Sequence, residues 1–507
     1  MPELKKIFNT LPQSLVTVSN RGPVVLSDSD EGVKMHRSVG GLVSAVEPII
    51  SQTGGVWIAW GGRADTGRED GKVLPLLPLP FGHPKYYFSE ILLTPWEISN
   101  FYDGFTNSCL WPLCHSFIGK TVFDPKHWQS YIQVNQKFAS ATMKVIAPGQ
   151  LIWIHDYHLA LVPQMLKKQL PSSQVSLFWH IPFPAADIFQ ALPWSAAILR
   201  GMLGSEFIAF HTAHYVFNFL LTVERVLNAR VDLEKGVVYW EGREIKVQAV
   251  PIGIDWKEFD GLARQESVRR RAEVIRRSAG GERLLLGVDR LDYTKGILER
   301  LRALEALFEH HPEWRGRLTF IQVAVPSRTN VPGYRQLKRE IDETVGRLNG
   351  RFTEDYHVPV KYIYRSLTRE ELVAHYLAAD MALVTPLRDG LNLVAKEFVI
   401  SQVESDGVLL LSPLAGVSSQ MKEALVANPY HPLEVADKIV AGLDMPAEEK
   451  KKRLAALQSR TRREDIHWWW DKIRSIWIGT HLKEQYLAAG ENAPDSARDN
   501  VRTLNLA

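Results

Sequence analysis

Arg290 and Lys295 stand five residues apart in Asp289-Arg290-Leu291-Asp292-Tyr293-Thr294-Lys295-Gly296, between an apolar run at 284–288 and a helical pattern. A planar guanidinium, a compact ammonium and the free N–H groups of a helix start together suit a diphosphate. The same loop also reads as a solvated basic turn capped by Asp292, and spacing alone leaves both readings open. A second polar segment, Thr385-Pro386-Leu387-Arg388-Asp389-Gly390, follows the apolar run at 381–384 and continues through Asn392, Leu393 and Val394 to Glu397. Pro386 stops the strand, and Gly390 lets the backbone turn or approach a ligand. A helix is expected from near Leu391, with its first N–H groups favouring an anion. Asp389 could then accept sugar hydroxyls and Glu397, almost two turns in, two ribose hydroxyls. The plainer alternative makes Asp389 an N-cap and Glu397 a solvated helix residue.

Weaker signals follow other apolar runs. Pro326-Ser327-Arg328 comes after the run at 318–323, and Arg328 matters only as a third cation in the same place. The first run leads into Ser19-Asn20-Arg21-Gly22-Pro23. Further on, Gly40-Gly41 opens the helical stretch 42–50; without Gly-Lys-Ser/Thr it is no P-loop, and a tight turn is the simpler reading. His155-Asp156-Tyr157-His158 and His180-Ile181-Pro182-Phe183-Pro184 also follow apolar runs. The histidines sit at strand ends with no suitably spaced Glu, so no metal is expected. Asp156 and His180 read better as groups that position hydroxyls or handle protons. The aromatic segments around Tyr102 and Trp111 could stack on sugar faces or simply fill a core. Trp468-Trp469-Trp470 reads as packing.

The elements that must position these residues alternate short β-rich runs with helical stretches. Near-continuous apolar strands imply burial on both faces, so the expected fold class is α/β with doubly wound parallel sheets. The alternation restarts near residue 282, after Gly280-Gly281, and the hinge is placed at 250–255. The expected division is 1–250, 251–463, a returning helix at 464–484, and a polar tail at 485–507. In such sheets ligands bind beyond the carboxyl ends of the strands, which is where the polar residues cluster. Composition narrows the class. The 507 residues hold 60 Lys and Arg against 57 Asp and Glu, a net +3 that does not favour a nucleic-acid partner. A hydrophobic content of 45% supports a large core. No apolar run is long enough to span a membrane, no secretory leader is visible, and only Cys109 and Cys114 occur, so a cytoplasmic enzyme is expected.

Taken together, Ser19-Asn20-Arg21, Gly40-Gly41-Leu42, Trp57 to Gly61, Leu110-Trp111-Pro112, Ile154 to His158, His180 to Pro184, Pro251-Ile252-Gly253-Ile254, Arg290 to Gly296 and Thr385 to Glu397 resemble the trehalose-6-phosphate synthase family. These are the retaining glycosyltransferases of family 20, and the similarity covers roughly residues 14–480. The resemblance implies two Rossmann-like domains facing a cleft (the GT-B fold). It implies transfer of glucose from a nucleotide-glucose, UDP-glucose by default, to glucose 6-phosphate, with retention and without a metal or other cofactor. Arg290 and Lys295 would bind the donor diphosphate together with the backbone of Asn392, Leu393 and Val394. Glu397 would hold the ribose, Asp389 the transferred glucose with His180 beside it, and Gly41 would lie over the donor. Arg21, Tyr102, Trp111 and Arg328 would hold the acceptor phosphate, with Asp156 and Trp60 at the same acceptor.

Related activities stay open on sequence: a glucosylglycerol-phosphate synthase using glycerol 3-phosphate, a pseudo-glycosyltransferase, or a non-catalytic sugar-phosphate sensor. Intact Arg21, Asp156, His180, Arg290, Lys295, Arg328, Asp389 and Glu397 speak against the sensor. The expected partners are small-molecule substrates only, with neither nucleic acid nor membrane. A homo-oligomer and the donor base stay undecided.

Overall fold

The computed structural model describes residues 15–29, 32–38, 40–65, 75–147, 150–280, 282–328 and 331–489. The chain divides into two compact units, Met1–Pro251 with His467–Ala507, and Ile252–Ile466. Gly281 and the stretch 490–507 of the expected tail lie outside the described residues.

The first unit carries, in chain order, β1 (Leu15–Arg21), the hairpin β2 (Val24–Ser29) and β3 (Gly32–Arg37), β4 (Gly55–Ala64), β5 (Leu77–Leu79), β6 (Tyr86–Leu93), β7 (Leu151–His155), β8 (Gln174–Phe178), β9 (Phe207–Phe210), β10 (Arg230–Asp232), β11 (Val237–Trp240) and β12 (Arg243–Ala249). All but the hairpin form one sheet in the order β10-β11-β12-β9-β8-β7-β1-β4-β6-β5. From β12 to β6 the strands run parallel, and the two edges are antiparallel. Every residue of β8 and β9 is buried, as a sheet covered on both faces requires. The chain winds outward from β1 through β4 to β6, then returns to the other side of β1 with β7. The switch point therefore lies between β1 and β7, with Arg21 ending one strand and Asp156 following the other.

The second unit has β13 (Arg283–Arg290), β14 (Leu318–Val325), β15 (Val360–Ile363), β16 (Met381–Val384), β17 (Val408–Leu411) and β18 (Leu425–Val426) in the order β15-β14-β13-β16-β17-β18, all parallel. Its switch point lies between β13 and β16. Their trailing loops carry Arg290 and Lys295 on one side and Asp389 on the other. The expected α/β class of two doubly wound Rossmann-like units is what the chain adopts.

Two close contacts bind those loops. The Leu387 N–H donates to the Thr294 carbonyl at 2.8 Å. Gly296 has φ 65°, and a Cβ there would stand 2.5 Å from the Thr385 carbonyl oxygen, so glycine is required twice over. Beneath them the helix Ile297–His310 places Arg300 among Leu301, Leu304 and Leu307 of the core. The buried Arg300 guanidinium donates to Asp289 Oδ2 and Gln322 Oε1, both at 2.7 Å, to Thr385 Oγ1 at 3.0 Å and to the Lys295 carbonyl at 3.3 Å. One side chain thus ties β13, β14 and the end of β16 together.

The last helix runs Ile466–Ala489 rather than over 464–484. Trp469 is fully buried against Trp153 and Phe178, and its Nε1 donates to the Val250 carbonyl at 3.2 Å. Packing is what holds it, as the sequence suggested. No helix among the described residues is long and apolar enough to cross a membrane.

Replacing Arg300 by Met leaves the Asp289 carboxylate buried without its cation. We expect a loss of ~3–5 kcal/mol, measured as a lower urea midpoint for the second unit. The double variant Arg300→Met/Asp289→Leu should recover part of it. A single variant as stable as the parent would show that the pair contributes nothing.

Candidate active site

In the second unit, Asp292 organises the loop after β13. Its Oδ1 accepts from both the backbone N–H and the hydroxyl of Thr294 at 3.0 Å, capping the short turn Tyr293–Lys295. Its Oδ2 takes the Arg328 guanidinium at 2.7 Å and the Tyr334 hydroxyl at 3.0 Å. The cap reading was right, but Asp292 also anchors Arg328. That arginine sits at φ 48° with its side chain only 5% exposed, turned toward a buried carboxylate rather than standing as an open cation. Burial and the Asp292 charge push the Tyr334 phenol up, so it stays a donor.

Arg290 is exposed at the end of β13. The Lys295 ammonium meets Asp389 Oδ2 at 2.5 Å, and Asn392 Nδ2 donates to the same oxygen at 3.0 Å. Asn392 takes φ 92°, a left-handed conformation that asparagine tolerates better than most residues. The helix therefore starts at Val394, not Leu391, and Leu393 is its N-cap. Asp389 is not its N-cap residue, and Asn392 Oδ1 accepts from the Ala395 N–H at 3.2 Å. The opening N–H groups of the helix, Val394–Ser401, have no intrahelical acceptors and carry the positive end of its dipole. Glu397 falls in the first turn, not near the end of the second. Its carboxylate accepts from the Tyr376 hydroxyl at 2.8 Å. Burial raises its pKa, with Tyr376 and Arg369 pulling the other way.

In the first unit the Arg21 guanidinium lies over the Trp60 ring at 3.8 Å and over Tyr102 at 5.1 Å. Among the described residues it has no carboxylate partner. Trp60 is held by its Nε1 on the Arg63 carbonyl at 2.8 Å. Tyr102 lies in a wide π-helical segment, Ile98–Leu110, that follows a capping box between Thr94 and Glu97. Its ring stands edge-on to Trp60 and is stacked with His158. His158 in turn packs on Tyr157, and Tyr157 on Trp111. Trp111 is thus joined to Arg21, Trp60 and Tyr102 through His158 and Tyr157, rings that the sequence did not assign to the site.

Asp156 has φ 75°, an unusual conformation that two hydrogen bonds hold in place. Its Oδ1 accepts from the N–H groups of Tyr157 at 3.0 Å and His180 at 3.2 Å. His180 Nε2 meets His155 Nδ1 at 3.1 Å. Burial pushes both imidazoles well below their ordinary pKa, and His211 and His158 add to the effect at His180. Gly41 is the exposed first residue of the helix Gly41–Thr53.

Sequence reading missed Arg300, Tyr334, Tyr376 and the pairing role of His155. Only Arg300 left a trace: a charge on the apolar face shared by Ile297, Leu301 and Leu304. Among the described residues, no group of three or more His, Cys, Asp and Glu could hold a metal ion.

The sequence matches glycosyltransferase family 20 over residues 13–476. It is 41% identical over 488 residues to a bifunctional trehalose-6-phosphate synthase/phosphatase of Thermoproteus tenax, a match that covers 93% of this chain and 64% of that protein. It is 39% identical over 463 residues to a trehalose-6-phosphate synthase of Mycobacterium sp. (strain KMS), covering 90% and 93%. Its fold matches the crystal structure of an α,α-trehalose-phosphate synthase (UDP-forming) from Burkholderia xenovorans in complex with glucose-6-phosphate, with TM-score 0.83 and 30% identity over 92% of this chain and 99% of that one. With a match that spans nearly the whole sequence and both switch points furnished with polar and charged side chains, the chain belongs to glycosyltransferase family 20.

Proposed function

We propose that the chain transfers glucose from a nucleotide-glucose, UDP-glucose by default, to glucose 6-phosphate, giving α,α-trehalose 6-phosphate and a nucleoside diphosphate with retention at the anomeric carbon. The observation that carries this reading is the Lys295–Asp389–Asn392 group at the start of the helix Val394–Ser401. It sets a cation and the N–H donors of a helix start for a diphosphate beside a carboxylate for sugar hydroxyls. The names borne by the relatives, and the glucose-6-phosphate in one of their structures, support the acceptor.

Retention without a pair of catalytic carboxylates points to a front-face displacement through an oxocarbenium-like ion pair. The leaving diphosphate gathers charge as the glycosidic bond breaks, and one of its oxygens takes the acceptor proton. Arg290, Lys295 and the helix start stabilise that charge; a well-placed donor of this kind contributes about 2.7–4 kcal/mol, or roughly 10²–10³ in rate. Glu397, held by Tyr376, accepts from the ribose hydroxyls. Arg21, fixed by Trp60 and Tyr102, takes the acceptor phosphate, with Trp111 behind it and Asp156 at the acceptor hydroxyls. Arg328 adds its charge to the phosphate while Asp292 orients it. Gly41, which has no side chain, leaves its backbone open to the donor. Because cations and N–H groups serve the diphosphate, we propose that no metal is needed.

The deciding experiment supplies UDP-, ADP- and GDP-glucose, each with glucose 6-phosphate or glycerol 3-phosphate, and identifies products by mass and NMR. A 1,1-linked disaccharide phosphate is expected; glucosylglycerol phosphate would overturn the acceptor assignment. Activity should persist in excess EDTA, and loss restored by a divalent ion would refute the metal-free mechanism. Asp389→Asn should split the two parts of the donor in calorimetry. UDP alone should bind more tightly, since Lys295 loses a competing carboxylate, while UDP-glucose binds more weakly and turnover falls about 10²–10³-fold. Equal weakening of both ligands would contradict the roles given to this pair.

A further inference from the structure

We propose that His155 is a positioning residue that fixes the tautomer of His180, so that His180 presents an Nδ1–H donor to the transferred sugar. This rests on the reading, given above, that His180 stands beside that sugar.

The two rings meet through His155 Nδ1 and His180 Nε2 at 3.1 Å, in a fully buried contact for His155. A hydrogen bond between two imidazole nitrogens needs one N–H and one bare nitrogen. Two arrangements satisfy that. In the first, His155 carries its proton on Nδ1 and donates; in the second, it carries the proton on Nε2 and accepts. His155 Nε2 is buried and has no hydrogen-bond partner among the described residues. The second arrangement would therefore bury an N–H with no acceptor, which folded proteins rarely tolerate and which costs about 1–3 kcal/mol. The first leaves only a bare lone pair there.

The consequence passes through the bond. With Nε2 of His180 accepting, a neutral His180 must carry its proton on Nδ1. The surroundings keep both rings neutral. Trp153 packs on His155 at 4.3 Å, Phe178 on His180 at 4.4 Å, and Trp469 of the last helix reaches His180 at 6.4 Å. His211 after β9 and His158 after β7 disfavour a further positive charge, and the Asp156 carboxylate takes the His180 backbone N–H. His180 thus offers a fixed donor rather than a proton acceptor, and a hydroxyl oxygen of the sugar is its natural partner.

The test begins with ¹⁵N NMR of histidine-labelled enzyme, assigned by single histidine replacements. Both His155 and His180 should show a protonated Nδ1 and a bare Nε2; a protonated Nε2 on either ring overturns the proposal. His155→Phe keeps the packing on Trp153 and removes the donor, while His155→Asn keeps an N–H near the Nδ1 position. His155→Phe should move the His180 proton and lower kcat/KM for the nucleotide-glucose 10- to 100-fold. UDP affinity should be unchanged, which also shows the fold is intact. His155→Asn should recover most of the loss. Equal losses in both variants with the His180 tautomer unmoved would make His155 merely structural. If the parent enzyme forms no disaccharide phosphate, the functional reading fails, and the NMR result still decides the tautomer.

Discussion

One buried guanidinium decides where the second unit can do chemistry. Arg300 is 1% exposed and bonded to groups in or just after three strands and to the Lys295 carbonyl. A charge so placed is tolerated only when its donors find acceptors. Asp289, Gln322 and Thr385 therefore have to converge on it, and the strands that carry them are held in register. The loops that leave those strands then start from fixed points, and Gly296 lets two of them touch. Lys295 and Asp389 can meet only because this lower layer has already set their backbones.

The two units prepare their cations differently. In the second, Lys295 and Arg328 are each held by a carboxylate, Asp389 and Asp292. Each pair orients its cation and balances its charge. In the first, Arg21 is held by aromatic faces. Stacking orients the guanidinium without cancelling its charge, and it leaves the edge donors free for a bidentate oxyanion. Tyr376 serves Glu397 in a third manner, using a neutral donor to aim an acid that burial alone would tend to protonate.

Much of this was legible in the sequence where local signal was strong. The buried parallel strands β1, β4, β7, β8, β9 and β13–β17 were visible as apolar runs, and the polar residues expected after them do follow those strands. The hairpin β2–β3, the strand β6 and the edges β5, β10–β12 and β18 were not visible. They are short or half-exposed, so their composition carries no continuous apolar run. The helix at Val394 was placed three residues early because nothing local shows that Asn392 adopts a positive φ. Within the site, residue types were readable but their holders were not. Arg300 reaches Thr385 across 85 positions, and His155 reaches His180 across 25. Such pairings follow from topology, which assigns neighbours only after the sheet order is known.

The first unit is built from two separated stretches of chain, and Trp469, which covers Trp153 and Phe178, belongs to the later one. During synthesis, the sheet around β7 and β8 is complete long before that cover exists. At about 5–20 residues per second, the whole of the second unit must first emerge, a wait of some tens of seconds. For that interval an apolar face holding Trp153, Phe178 and the His155–His180 pair stands open on the nascent chain. The second unit is continuous and can finish without waiting for later chain, whereas the first depends on the helix Ile466–Ala489. His180 therefore acquires its dry surroundings only once that helix has been made, so a chain cut short before it would keep its second unit and lose the environment of His180.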